Sequence, residues 1–231
     1  MRASIPILAL LAPLGAFAAS LQFASVQDAT ILDNDTSISD GDLFSGYNNT
    51  GQERRALVQF DLTSIPAGST INAVTFNLTS ERVAGPQDFE LRAVTTPWIE
   101  GTNTGAGTGG GQGTTPTPSG SVSWETPWTT SGGDFGAVLD TVSVSGWSNI
   151  VFDDPALIPL VQSWVDTPTS NNGFILIGTI TDPQSVILFG GSGSTAPPSL
   201  DVTYTAIPEP KLFALAAGFA AIALAIVRRR S

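Results

Sequence analysis

The 231 residues include no cysteine and no histidine, and lysine and arginine together number only nine. Without cysteine there is no disulfide, no thiolate nucleophile and no zinc–thiolate site. Without histidine the chain lacks the commonest general base and the commonest metal ligand, so a serine–histidine triad is excluded outright. Positive charge is scarcest in the middle. Between Ser20 and Ala206 only Arg54, Arg55, Arg82 and Arg92 stand against nineteen carboxylates, a net charge of −15. No basic stripe can neutralise phosphates, which argues against nucleic acid and against anionic lipid. Such a surplus of carboxylates suits a solvated exterior or the ligation of calcium by oxygen.

Charge is also missing from two terminal runs. After Arg2 the chain passes through Ile5, Ile7 and Leu8 to Leu11 and reaches Ala16-Phe17-Ala18, a small-x-small pattern. Residues 1–19 therefore read as a secretory signal peptide cut after Ala18 or Ala19. At the other end Pro208-Glu209-Pro210 is followed by an uncharged run from Leu212 to Val227 and then by Arg228, Arg229 and Arg230. Sixteen residues at a 1.5 Å rise span about 24 Å, short of the roughly 30 Å hydrocarbon layer but enough for a thinned bilayer or snorkelling flanks. The arginines assign their side to the cytoplasm, so the middle of the chain is expected outside, in agreement with the signal peptide. The order of motif, apolar run and basic cluster over 207–231 resembles the PEP-CTERM sorting signal of Gram-negative bacteria. That resemblance implies an exosortase-type enzyme that cuts near Pro208, Glu209 and Pro210, a transient inner-membrane anchor over 212–227, and association with exopolysaccharide or biofilm matrix. An ordinary single-pass anchor satisfies the membrane criteria equally.

The roughly 187 residues between the ends suffice for one domain with a substantial core. Apolar and polar residues alternate in short runs: Ala56, Val58, Phe60 and Leu62 share one face, as do Val74, Phe76 and Leu78. Further strands are predicted over 21–32, 89–95, 138–144, 173–180, 185–189 and 200–205, several divided by glycine, proline, asparagine or serine turns. Many short strands without alternating helices predict an all-β fold, an antiparallel β-sandwich or jelly roll. One short helix is expected after Asp154 as N-cap and Pro155 at the first position, with Leu157, Leu160, Val161, Trp164 and Val165 at helical spacing. Residues 101–120 are almost all glycine, threonine, proline and serine, and read as a long flexible loop.

Two constellations could carry binding. Asp33, Asp35, Asp40 and Asp42 crowd one turn-rich stretch, and hard oxygen donors suit calcium; the alternative is a solvated acidic loop, since the spacing is not an EF-hand. No other cofactor is expected. Five tryptophans could stack on sugar rings. Trp164 lies on the helix's apolar face and Trp98 at a strand end, positions that favour the core. Trp124 and Trp128, beside the glycine-rich loop, are the better sugar-stacking candidates. Nothing in the sequence pairs two carboxylates across a cleft for glycosidic cleavage, and no nucleophile-and-base arrangement is present, so a non-catalytic protein is expected.

The middle segment, 20–206, resembles the bacterial DNRLRE-type domain, a β-sandwich related to some carbohydrate-binding modules. The resemblance rests on Asp28-Ala-Thr-Ile-Leu, Arg54-Arg-Ala-Leu-Val-Gln-Phe-Asp-Leu with Ile65-Pro-Ala-Gly, Trp98-Ile-Glu-Gly, Trp124, Gly132-Gly-Asp-Phe, Val161-Gln-Ser-Trp-Val-Asp, Asn172-Gly-Phe and Pro198-Ser-Leu-Asp-Val-Thr-Tyr. The charged stretch usual before the last strand is replaced by Gly190-Gly-Ser-Gly-Ser. The resemblance implies a stalk, matrix or glycan-associated module, with extracellular polysaccharide as the partner class; a glycosidase is the remaining alternative.

Overall fold

The computed structural model describes residues 18–39, 41–107 and 111–207. Residues 1–17 of the signal peptide expected over 1–19, the Pro208-Glu209-Pro210 motif, the apolar run and Arg228 to Arg230 lie outside the described residues, whereas Ala18 and Ala19, at the expected cut, pair with Thr205 and Tyr204. Among the described residues no helix is long and apolar enough to cross a membrane.

The fold is all-β and antiparallel, with one short α-helix. Its strands are β1 (Ala18–Leu32), β2 (Thr36–Ile38), β3 (Leu43–Tyr47), β4 (Glu53–Phe60), β5 (Thr70–Val83), β6 (Gln87–Val94), β7 (Phe135–Val144), β8 (Asn149–Phe152), β9 (Phe174–Gly178), β10 (Ile187–Phe189) and β11 (Ser199–Thr205), with helix α1 (Leu157–Asp166) between β8 and β9. Every predicted strand is present. β2, β3 and β8 were not foreseen, because runs of three to five residues carry too few alternations to register as a period.

Two long strands turn the sheet back on itself. β1 pairs with β11 over Ala18–Ala24, then with β4 over Ser25–Leu32, with a register shift between Ser25 and Gln27. β5 pairs with β11 over Thr70–Asn77 and with β10 over Ser80–Val83. The pairings β1–β11–β5–β10–β3–β4 return to β1, which closes a ring. β9, β6 and β7 extend from β4, while β2 lies on β1 and β8 on β5. Closure and these short flanking strands limit the length of unpaired edge.

Alternation along β4 sends Ala56, Val58 and Phe60 inward, where Phe60, Phe76, Phe152 and Phe174 form a chain of ring contacts with centroids 5.3–6.4 Å apart. α1 closes this core with Leu157, Val161, Trp164 and Val165, and Trp164 meets Phe174 edge-on at 4.9 Å. The helix begins at Leu157, later than the cap expected at Asp154. The Asp154 carboxylate instead accepts the Ala156 amide at 2.8 Å, and its carbonyl accepts the Leu157 amide at 3.0 Å, forming a turn that leads into the helix.

The opposite face of the same sheet is also covered. Ala29, Ile31, Leu57, Ile175 and Ile177 point outward and pack under Val94, Trp98, Val122, Trp124 and Trp128. Apart from Val94, the last residue of β6, the covering residues belong to the connection between β6 and β7, which includes the segment expected to be a flexible loop. That expectation is corrected over the described part. Thr114 bridges to Ser37, Ala106 exchanges both backbone hydrogen bonds with Gln112, and the Asn103 amide donates to the Ser37 carbonyl at 2.6 Å. Glycine permits this contact: a Cβ on Gly113 would lie 2.1 Å from the Thr36 hydroxyl. The segment is too apolar-poor to fold alone, but its backbone groups find partners on the sheet.

Candidate functional site

The aspartates expected to gather around calcium are divided among structural tasks. Asp33 accepts the Glu53 amide at 2.9 Å. Asp35, in the left-handed region at φ 59°, accepts the Ser123 hydroxyl at 2.6 Å and the Glu125 amide at 3.1 Å. The intervening residues form β2 on β1, with Ser37 and Ile38 buried, so Asp42 lies beyond that strand, directly before β3. Asp40 lies outside the described residues. Among the described residues no three acidic side chains converge as a metal site.

Trp124 and Trp128 are 9% and 8% exposed, so neither ring offers the open face that a sugar requires. This corrects the stacking expectation for both. The Arg55 guanidinium covers Trp124 at 4.7 Å from its centroid while donating to the Gly132 carbonyl at 2.8 Å and pairing with Glu53 at 2.7 Å. Gly132 takes φ 87°, and a Cβ there would strike Arg55 and Trp124 at 2.7 and 2.8 Å. The Trp128 indole donates to the Ser123 carbonyl at 2.8 Å. The tryptophan left in the open is Trp147, 76% exposed in the turn between β7 and β8; sequence spacing did not single it out.

Two other carboxylates hold loops by opposite physics. Asp134 accepts the Thr96 and Thr129 hydroxyls and the Thr129 and Thr130 amides at 2.8–3.0 Å, and these bonds hold its carboxyl down at about 2. Asp28 is buried inside β1, and desolvation pushes its carboxyl above the ordinary value. The Ser192 amide at 2.6 Å, the Ser192 hydroxyl and the Ser25 hydroxyl oppose that rise only in part. The Gly190-Gly-Ser-Gly-Ser stretch thus serves to cover Asp28.

A cleft of about 490 Å³ lies between the end of β4 and α1, lined by Val26, Phe60, Leu62, Ile65, Trp164 and Asn171 among others. It is mainly apolar, and its amides Gln59 and Asn171 already tie β4 to the connection before β9: Gln59 donates to the Asn171 carbonyl at 2.6 Å and Asn171 to the Phe60 carbonyl at 2.8 Å.

A second hollow of about 310 Å³ differs in chemistry. Phe44, Ala84 and Val186 form its apolar wall, and Asn49, Arg54, Arg82, Gln112 and Gln184 are among its polar residues. Arg54 is 5% exposed. It shares the inward face of β4 with Ala56 and Val58, and Nε and Nη2 donate to the Gly111 carbonyl at 3.2 and 2.8 Å. Its Nη1 is buried without a partner among the described residues. Burial pulls this guanidinium below its ordinary value, with Asp33 acting in the opposite sense. Whereas Arg55 and Arg92 pair with Glu53 and Glu90, Arg82 is exposed and its side chain forms no ion pair or hydrogen bond among the described residues.

No protein-family model matches this chain, and no curated protein is similar to it.

Proposed function

We propose that this chain is an exported, non-catalytic cell-envelope or matrix protein, addressed to an exosortase-type enzyme by Pro208, Glu209 and Pro210, with a DNRLRE-like β-sandwich as the displayed module. The observation that supports this reading is the pairing of Ser20, just after the expected cut, with Thr203 near the end of β11. The two segments read as targeting signals therefore leave the domain side by side, at one end. An antiparallel domain tethered in this way presents its opposite end away from the membrane.

The test is the fate of the tail. Replacing Pro208, Glu209 and Pro210 with alanine leaves uncut precursor in the inner membrane, whereas the parent chain is shortened and released. Identical size and location of the two forms would overturn the sorting reading.

A second reading, binding of an extracellular polysaccharide, is favoured by the polar hollow around Arg82, where amide side chains line an apolar wall. Retention on immobilised polysaccharide tests it. Release of reducing ends from that polymer would point instead to a glycosidase.

A further inference from the structure

The domain carries four arginines against nineteen carboxylates, and the two without a carboxylate partner among the described residues, Arg54 and Arg82, line the same hollow. Arg54 is buried with Nη1 unpartnered among the described residues, a state that costs free energy unless an anion or acceptor compensates it. Three amide side chains at the hollow, Asn49, Gln112 and Gln184, are exposed and make no hydrogen bond among the described residues. Gln184 also stands in the left-handed region at φ 66°, where its own side chain makes no bond that offsets the strain. Beside these groups lie Ala84, exposed, and Val186, half-buried, an apolar edge against which the C–H face of a ring can rest, with the buried Phe44 behind them.

The hollow is also well placed. Thr70, the first residue of β5, pairs with Thr205 beside the expected tether, while Arg82 lies twelve residues further along the same strand. At about 3.3 Å per residue that separation is at most about 40 Å. The hollow therefore lies toward the end of β5 remote from Thr70 and Thr205.

We infer that this hollow binds an anionic saccharide, a sugar ring bearing a carboxylate. Arg82 takes the carboxylate in a charge-assisted contact, supported by the positive charge of the Arg54 guanidinium beneath. The amides of Asn49, Gln112 and Gln184 both donate and accept, as ring hydroxyls require. With four arginines against nineteen carboxylates in the domain, an anionic polymer is favoured at the hollow where Arg54 and Arg82 meet. This inference deepens the polysaccharide-binding reading and does not depend on the sorting reading.

The experiment is calorimetry on the full chain in uncharged detergent, titrated with trigalacturonate, with neutral galactotriose and with sodium acetate. Trigalacturonate is expected to bind at least about tenfold more tightly than either control, the difference that one charge-assisted contact supplies. Arg82→Gln, at an exposed position that leaves folding intact, should weaken it by about tenfold, and Gln184→Gly, which keeps the left-handed backbone, by a smaller factor. Trp147→Ala should leave it unchanged. Equal binding of galactotriose and trigalacturonate, or binding indifferent to Arg82→Gln, overturns the site while sparing the polysaccharide reading. Acetate binding as tightly as trigalacturonate overturns the saccharide assignment. No binding of any probe up to about 10 mM, an affinity weaker than about −3 kcal/mol, overturns both.

Discussion

The sheet formed by β4, β9 and β6 has an apolar core on each side, and the two are assembled by different means. On the inner side, Phe60, Phe76, Phe89, Phe152 and Phe174 come from five strands, each phenylalanine delivered by period-two alternation and each almost wholly buried. On the outer side, Trp98, Trp124 and Trp128 come from a single irregular connection and are held by specific polar contacts. Those are the Trp128 indole to Ser123, the Trp98 indole to the Asn172 carbonyl at 2.9 Å, and Arg55 over Trp124. The first core is a consequence of strand pattern. The second exists only because the chain doubles back over a face that would otherwise be wet.

If that contrast is correct, perturbing the phenylalanine core should unfold the domain as a whole. Phe76→Ala removes the ring that touches Phe60, Phe152 and Phe174, and should cost about 3–5 kcal/mol in urea unfolding. That is a large share of the roughly 5–15 kcal/mol available to a domain of this kind. A loss below about 1 kcal/mol would show that the inner core is not the principal one.

Trp128→Ala should cost less, about 2–3 kcal/mol, because the connection can peel away while the ring of strands persists. Limited proteolysis should then cut within 101–134 while the far-ultraviolet β signal is retained. Cleavage distributed evenly along the chain would mean that the two cores unfold as one.

The contrast extends to pH. The Asp134 carboxyl is held at about 2, below the ordinary 3.8, so its support for the loop over the tryptophans is complete above about pH 4 and is lost as pH falls toward 2. Asp134→Asn should erase that portion of the acid sensitivity, as read by melting temperature between pH 2 and 5. The Asp28 carboxyl is raised instead. Its contribution is therefore complete below its ordinary value and declines as pH rises through the raised one. Asn at this position keeps one oxygen for the Ser192 amide and carries no charge, so Asp28→Asn should gain on the parent as pH increases. Both substitutions shifting with pH in the same sense would refute the assignment of desolvation to one site and hydrogen bonding to the other.

Smallest of all is Trp147→Ala. With 76% of its surface exposed, this residue should change unfolding free energy by no more than about 0.5 kcal/mol. A larger loss would reveal a packing role absent from both cores.

Much of the inner core was legible in the chain, because alternation is a local property: Ala56, Val58 and Phe60, and Val74, Phe76 and Leu78, point inward as their spacing requires. The helical spacing of Leu157, Val161, Trp164 and Val165 was legible for the same reason, although the turn ahead of it moved the helix start. The candidate site was much less so. Trp124 and Trp128 stand beside a glycine-rich stretch, and composition alone carries no sign that this stretch returns to cover them. Four aspartates within ten residues looked like one cluster, yet β2 intervenes and directs Asp33 and Asp35 to the Glu53, Ser123 and Glu125 amides or hydroxyls instead.

What the sequence by itself determined is therefore periodic or compositional: an all-β chain with one helix, an excess of carboxylates, and no thiol or imidazole chemistry. What only the tertiary structure decided depends on residues far apart in the chain. Arg54, Arg82, Gln112 and Gln184 come from β4, β5 and two separate connections, and no local pattern encodes their meeting. Likewise Leu57 falls on the face opposite Ala56, Val58 and Phe60 under simple alternation, and is buried because a distant, polar segment satisfies its own backbone by lying across that face.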